Sequence, residues 1–316
     1  MNPRIRQTVL PLLAAAIWGS AFVGQSVAGE YLPPFAVNAI RSLVAVITLA
    51  VVILGFRRWE TARNGAPRKQ DCKKMIAGGA ACGVVLTIAS NLQQIGLMDT
   101  TAGKASFITA LYIVIVPVCG LFVGRKLPAS IWCAVCLATA GLYFLCIRSG
   151  FTIQRGDFFV FLCALFFSAH ILVIDHFTRF VDGIYLSFVQ FFTCMVISGV
   201  VSLLTEEVSL AGFSEWIWPI LYVGVFSSGV AYTLQIVAQT GTNPAVVSLL
   251  LSLESVFGVL SGVLILGERM SGREVLGCLL MFSAVILSQL PAPKKKEQIS
   301  LCLNQHFGTS GLDFIQ

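Results

Sequence analysis

The chain has 316 residues, of which 57% are hydrophobic and only 11% charged, with a mean hydropathy of +0.86. So little polar surface cannot cover a water-soluble globule of this size, which excludes a soluble fold. The net charge of +6 comes from lysines and arginines gathered between apolar runs, where membrane orientation needs them, so nucleic acid is not an expected partner.

A helix needs ~20 apolar residues to cross a ~30 Å hydrocarbon core. On that scale the sequence predicts ten spans, at 8–27, 34–56, 75–96, 102–123, 129–147, 156–175, 184–204, 216–238, 244–266 and 273–290. The runs are too long and continuous for barrel strands, and lipid leaves no partner for unpaired amides. The expected fold class is an all-α integral membrane protein.

In the first span, Ser26-Val27-Ala28 satisfies a small-x-small cleavage rule after Arg4 and Arg6. Trp18, Ser20 and Gln25 fit a retained, functional helix better than a discarded leader. In the second, Arg41 is the basic residue deep within a span. It can meet a substrate carboxylate through its fork of donors, or snorkel and brace neighbouring helices. The third span sets Thr87, Asn91 and Gln94 on one face, a stripe that must line a cavity or bond to other helices. Tyr112 in the fourth span, like Trp18, is a candidate aromatic wall. Cys133 and Cys136 in the fifth form a CxxC without the surroundings of a zinc or redox site, so no metal and no cofactor are expected.

The sixth span opens on Asp157, placed to complement a helix N-terminus, and carries His170, either a hydrogen-bonded histidine or a participant in proton coupling. The eighth aligns Ser228, Tyr232, Gln235 and Gln239 on one face. In the ninth, Glu254 sits near mid-membrane, where an ionised carboxylate costs ~2.5–3.5 kcal/mol on insertion scales, so it must face protein or water. It is a candidate for coupling or polar recognition. Because Gly258 and Gly262 share its stripe, a packing role is the alternative. Glu268 ends that span, and Ser271 with Glu274 reads as a capping box opening the tenth. A polar tail with Lys294-Lys295-Lys296 follows from 291 to 316.

Counted on alternate sides of the spans, lysine and arginine divide fifteen against five, which puts both termini in the cytoplasm of a cell or inner membrane. The halves also repeat weakly. Gly124-Arg125-Lys126-Leu127 aligns with Gly267-Glu268-Arg269-Met270 at an offset of 143, and Trp18-Gly19-Ser20 with Phe167-Ser168-Ala169 at 149. This divides the chain into five-helix units at 1–147 and 148–290, and an odd count obliges the second to enter from the opposite side.

Across about residues 8 to 290 the chain resembles the EamA family of the drug/metabolite transporter superfamily. The likeness rests on Trp18-Gly19-Ser20 with Phe22, on Pro34 and Arg41, and on Asn91 to Pro117 with Gly96-Leu97 and Ala105-Ser106-Phe107. In the second half it rests on Gly156-Asp157, Leu253-Glu254 and Leu266-Gly267-Glu268. One departure is Ser255, where the family usually has proline. The resemblance implies a ten-helix inverted-repeat carrier of small metabolites, often outward. The expected cavity contacts are Trp18, Asn91, Gln94, Tyr112, Tyr232, Gln235 and Glu254, with Glu254 and His170 as coupling candidates and Arg41, Asp157 and Glu268 as structural polar groups. With few buried charges, an amino acid or a neutral or amphipathic solute is expected rather than a phosphate ester. The expected partners are that solute, the bilayer and protons, in a monomer or homodimer. A scaffold or an intramembrane enzyme is the alternative, and no hydrolase motif supports catalysis.

Overall fold

The computed structural model describes residues 3–64, 71–100, 102–122, 124–125, 127–146, 154–209, 211–266 and 271–290. All the regular structure among them is helical. The first three spans are single long helices, α1 (Pro3–Tyr31), α2 (Pro34–Asn64) and α3 (Cys72–Asp99). The fourth is two helices in series, α4 (Ala102–Thr109) and α5 (Tyr112–Phe122), followed by α6 (Ala129–Cys146). The second half repeats this plan with α7 (Arg155–Phe177), α8 (Gly183–Thr205), a pass built of α9 (Phe213–Tyr222), a π-helical stretch Val223–Ala231 and α10 (Tyr232–Gln239), a pass built of α11 (Pro244–Leu251) and α12 (Glu254–Leu266), and α13 (Gly272–Gln289). Nine of these runs are long and apolar enough to cross a membrane, and Ala129–Leu145 is a shorter apolar helix in the tenth position.

Helix ends are set by local chemistry. Asp71 accepts from the Lys74 amide, Asn243 from Ala245, and Ser271 with Glu274 closes the expected capping box. Both oxygens of Glu206 take amides of the first turn of α2, from Phe35 and Ala36, each at 2.9 Å, so the end of one half's second helix caps the start of the other's. Asp157 closes a box with Gln154 and accepts from Thr100.

Three predicted spans are less regular than their apolar runs suggest. The fourth breaks at Ala110–Leu111 and the ninth at Ser252–Leu253, where the bonds tighten to three-residue spacing, as from Leu111 N to Ile108 O and from Leu253 N to Leu250 O. The breaks are 142 positions apart, at corresponding places in the two halves. The eighth holds the π stretch, which accommodates an extra residue. Helices α3 and α9 start 141 positions apart, whereas residues beyond the π stretch match at 142.

The packing obeys the same exchange of halves. Helix α6 lies against α13, and α2 against α8. The contact of α3 with α7 is mirrored by that of α1 with the π pass, and the contact of α7 with α4 and α5 by that of α1 with α11 and α12. At the α1–α12 crossing a Cβ on Gly19 would fall 2.6 Å from both the Glu254 carbonyl oxygen and the Gly258 amide, so only glycine allows that approach. The outward surface is apolar: Leu203, Leu204, Phe122 and Leu264 are almost fully exposed, as lipid-facing residues should be. Glu268 and the tail from 291 lie outside the described residues.

Candidate functional site

The two breaks and the π stretch meet in the interior. Tyr112 is the first residue of α5 and Glu254 the first of α12, so each half-helix begins at the same level with its side chain turned inward. They touch: Tyr112 Oη donates to Glu254 Oε1 at 3.1 Å, with the tyrosine 4% and the glutamate 5% exposed. One residue on, Ser255 Oγ bonds Ser106 Oγ at 2.6 Å. Ser255 lies in the first turn of α12, and its hydroxyl ties that helix start to α4.

Around this contact lies a cleft lined by Trp18, Phe22, Gln25, Gln93, Thr109, Tyr112, Phe167, Ile171, Tyr232, Gln235, Leu251 and Glu254, with about 450 Å³ of non-atom space, open solvent included. Trp18 and Tyr232 pack edge to face with centroids 4.7 Å apart. The indole N–H of Trp18 donates to the Ser227 carbonyl in the π stretch at 3.2 Å, which ties the ring to an irregular turn of backbone. Gln93 Nε2 donates to Thr109 Oγ1 at 3.2 Å.

The structure places Trp18, Tyr112, Tyr232, Gln235 and Glu254 together in this lining. The glycine stripe and the carboxylate of α12 do not compete. The backbone of Glu254 and Gly258 packs on Gly19 while the Glu254 side chain enters the cleft.

Asn91 and Gln94 do not line it, which corrects the reading of the third span's polar stripe. Asn91 Nδ2 is given to the Thr87 carbonyl at 2.8 Å and to Ser198 Oγ at 3.0 Å, and its Oδ1 accepts from Asn38, so the residue stitches α3 to α2 and α8. Gln94 donates to the Gln25 carbonyl at 3.3 Å. The neighbouring Gln93 faces the cleft instead.

Arg41 bonds neither solute space nor Glu254. Its Nη1 donates to Gln25 Oε1 at 2.7 Å and, 3% exposed, it holds that lining amide from behind. His170 stands outside the lining too, donating from Nε2 to Gln190 Oε1 at 3.0 Å, with its ring edge-on to Tyr232. Sequence reasoning missed Gln25, Gln93 and Thr109 as lining residues, and the apolar Phe22, Phe167, Ile171 and Leu251. No group of three or more metal-ligating side chains occurs among the described residues.

The lining carries the internal repeat. Trp18 and Phe167, and Phe22 and Ile171, are 149 positions apart; Gln93 and Gln235, Thr109 and Leu251, and Tyr112 and Glu254 are 142 apart. Ten of the twelve lining residues thus fall into five matched pairs, one member from each half.

The family model of the EamA-like transporter family matches the chain twice, at residues 7–147 and 154–290. An uncharacterized transporter of Archaeoglobus fulgidus is 31% identical over 285 residues, covering 88% of this chain and 84% of that protein. A solved crystal structure superposes with a TM-score of 0.72 over 90% of this chain and 97% of that one, at 17% identity, a likeness of fold. The chain belongs to the EamA-like transporter family and is a multi-pass membrane transporter.

Proposed function

We propose that this transporter is a secondary carrier of small organic metabolites that works by alternating access, its halves being inverted repeats that rock about the cleft. The observation that carries the reading is the pairing of the lining. A cavity built from matched residues of two duplicated halves lies on the axis that relates them, and a rocking motion can then expose it to either side by exchanging the roles of the halves. The broken helices support the same reading, because interrupted spans at corresponding positions place helix starts and irregular backbone at a midplane site. Glu254 serves as the coupling or recognition acid, with Tyr112 holding one of its oxygens. The lysine and arginine bias supports cytoplasmic termini in a cell or inner membrane and, with the family's habit, outward movement of the solute.

The test is flux in vesicles holding the purified protein, with solutes chosen by comparing metabolites in medium and cells with and without overexpression. In a cysteine-depleted background, a cysteine at Gln235 is expected to react with a water-soluble thiol reagent and to be shielded by solute. A cysteine at Asn91 is expected to stay inert in active protein. An inert Gln235 position, or no flux of any candidate, would count against the carrier and for a scaffold.

A further inference from the structure

The walls that lead from the cleft to the two membrane faces are built differently. On one side α5 runs from Tyr112 at the cleft to Phe122, and α7 passes Phe167 and Ile171 of the lining before it ends at Phe177. Counted by alternate crossings, both finish on the face where α1 starts and α13 ends, two ends that Thr8 and Gln289 tie together. Just past α5, Gly124 at φ 77° turns the chain back, and the Arg125 amide reaches the Gly120 carbonyl at 2.9 Å. That turn sets the Arg125 guanidinium against Asp175, which is buried in the last turn of α7. Asp175 also accepts from Arg179 at 3.1 Å, but Arg179 belongs to the same helix end, so of the two only Arg125 reaches across from α5.

On the opposite side α12 and α1 meet through backbone, Gly19 against Glu254 and Gly258. The positions that match Gly19 and Gly258 in the repeat are Ser168 and Val116, both buried, whose side chains keep α7 and α5 from the same approach. The ion pair has no counterpart either, because Asp175 and Arg125 match Ser26 and Glu268, which cannot form one. One mouth is thus closed by helix packing and the other by a charged contact between helix ends.

We propose that Arg125 and Asp175 are a latch holding shut the mouth between α5 and α7, and that its release opens the cleft to the face of α1's start. This rests on the carrier reading and names the contact that one of its two states must break. Removing either partner deletes the charged tie between the two helix ends and favours the parted arrangement, with no solute required.

The experiment is pulsed electron–electron distance measurement on the full chain in lipid nanodiscs, without solute. Spin labels are placed in a cysteine-depleted background at Phe122→Cys on the end of α5 and Phe180→Cys after α7, both exposed positions. The parent is expected to show mainly one short distance. Asp175→Asn and Arg125→Gln are each expected to raise a second, longer-distance population about threefold or more. The double variant should stay within about 1.5-fold of the larger single effect, because both residues act through one contact. Arg179→Gln, which removes only the contact within one helix end, should stay within about 1.5-fold of the parent. Should one single variant fail to fold, the other decides. Distances unmoved in a folded single variant, as a static brace would leave them even at a lowered Tm, overturn the proposal. Additive effects of the pair, or an equal effect of Arg179→Gln, overturn it too. Vesicle flux keeps the two readings apart: flux with unmoved distances sinks only the latch, and lengthened distances without flux of any solute sink only the carrier.

Discussion

At the scale of residues, the proposed carrier turns on Glu254, the carboxylate among the lining residues of the cleft. Its partner Tyr112 occupies the matching position of the other half, so duplication and divergence have left one acid where symmetry alone would give two like residues. Glu254→Gln keeps the size and the Tyr112 bond but removes the titratable acid. Flux is expected to fall about tenfold, with its pH dependence flattened over roughly pH 5 to 8. Unchanged flux over that range would reject a coupling role. Tyr112→Phe should cost less, about twofold to fivefold in flux, because one hydrogen bond is lost and the acid stays. The sequence pointed to Glu254, Trp18 and Tyr112 because a carboxylate or a polar-edged ring in an apolar run has few cheap alternatives. It failed on Asn91 and Gln94 for a physical reason. Helix α3 is packed on several faces, so a polar stripe shows only that partners exist, not whether they are helices or solute. Gln93 and Gln94 differ by about 100° around the helix, and only the position of α4 decides which one sees the cleft.

The elements show where periodicity gives out. Ten runs were legible from apolar length alone, yet the breaks at Ala110–Leu111 and Ser252–Leu253 were not, because neither dipeptide contains glycine or proline. Their cause is tertiary: Ser106 and Ser255 bond across the halves, and Tyr112 reaches Glu254, each drawing the start of one half-helix toward the other half. Ser255 lies in the first turn of α12, where its amide makes only a long 3.3 Å bond to the Ser252 carbonyl. Proline is therefore tolerable there, and Ser255→Pro is expected to fold with a Tm within about 4–8 °C of the parent, the worth of the two hydrogen bonds it removes, to the Ser252 carbonyl and to Ser106. A larger drop would mean that the serine pair, not the helix start, organises the break. Gly19 is the opposite case. Its missing Cβ faces backbone, which cannot swing away, so Gly19→Ala should destabilise by about 1–3 kcal/mol and Gly19→Leu should lose the monodisperse folded species in detergent. A folded, active Gly19→Leu would show that α1 and α12 have another way to pack.

For the whole molecule, what matters is how the halves face each other across the membrane. The odd number of spans per half argues for opposite orientation, whereas the charge bias resides almost wholly in the first half, so the second half's orientation needs its own measurement. The repeat provides matched reporters. Tyr31 at the end of α1 and Phe180 after α7 are separated by the same 149 positions that relate Trp18 to Phe167, and both are exposed. Inverted halves require these equivalent sites to lie on opposite faces. In a background stripped of native cysteines, which include exposed Cys72, Cys133 and Cys136, Tyr31→Cys should be labelled by an impermeant thiol reagent added to intact cells. Phe180→Cys, beside Asp175 and its ion pairs with Arg125 and Arg179, should be labelled only after the membrane is opened. Labelling of both from one side would mean parallel halves. The matched lining could then not exchange roles across the bilayer, and a carrier would need some other motion to expose Glu254 to each side in turn.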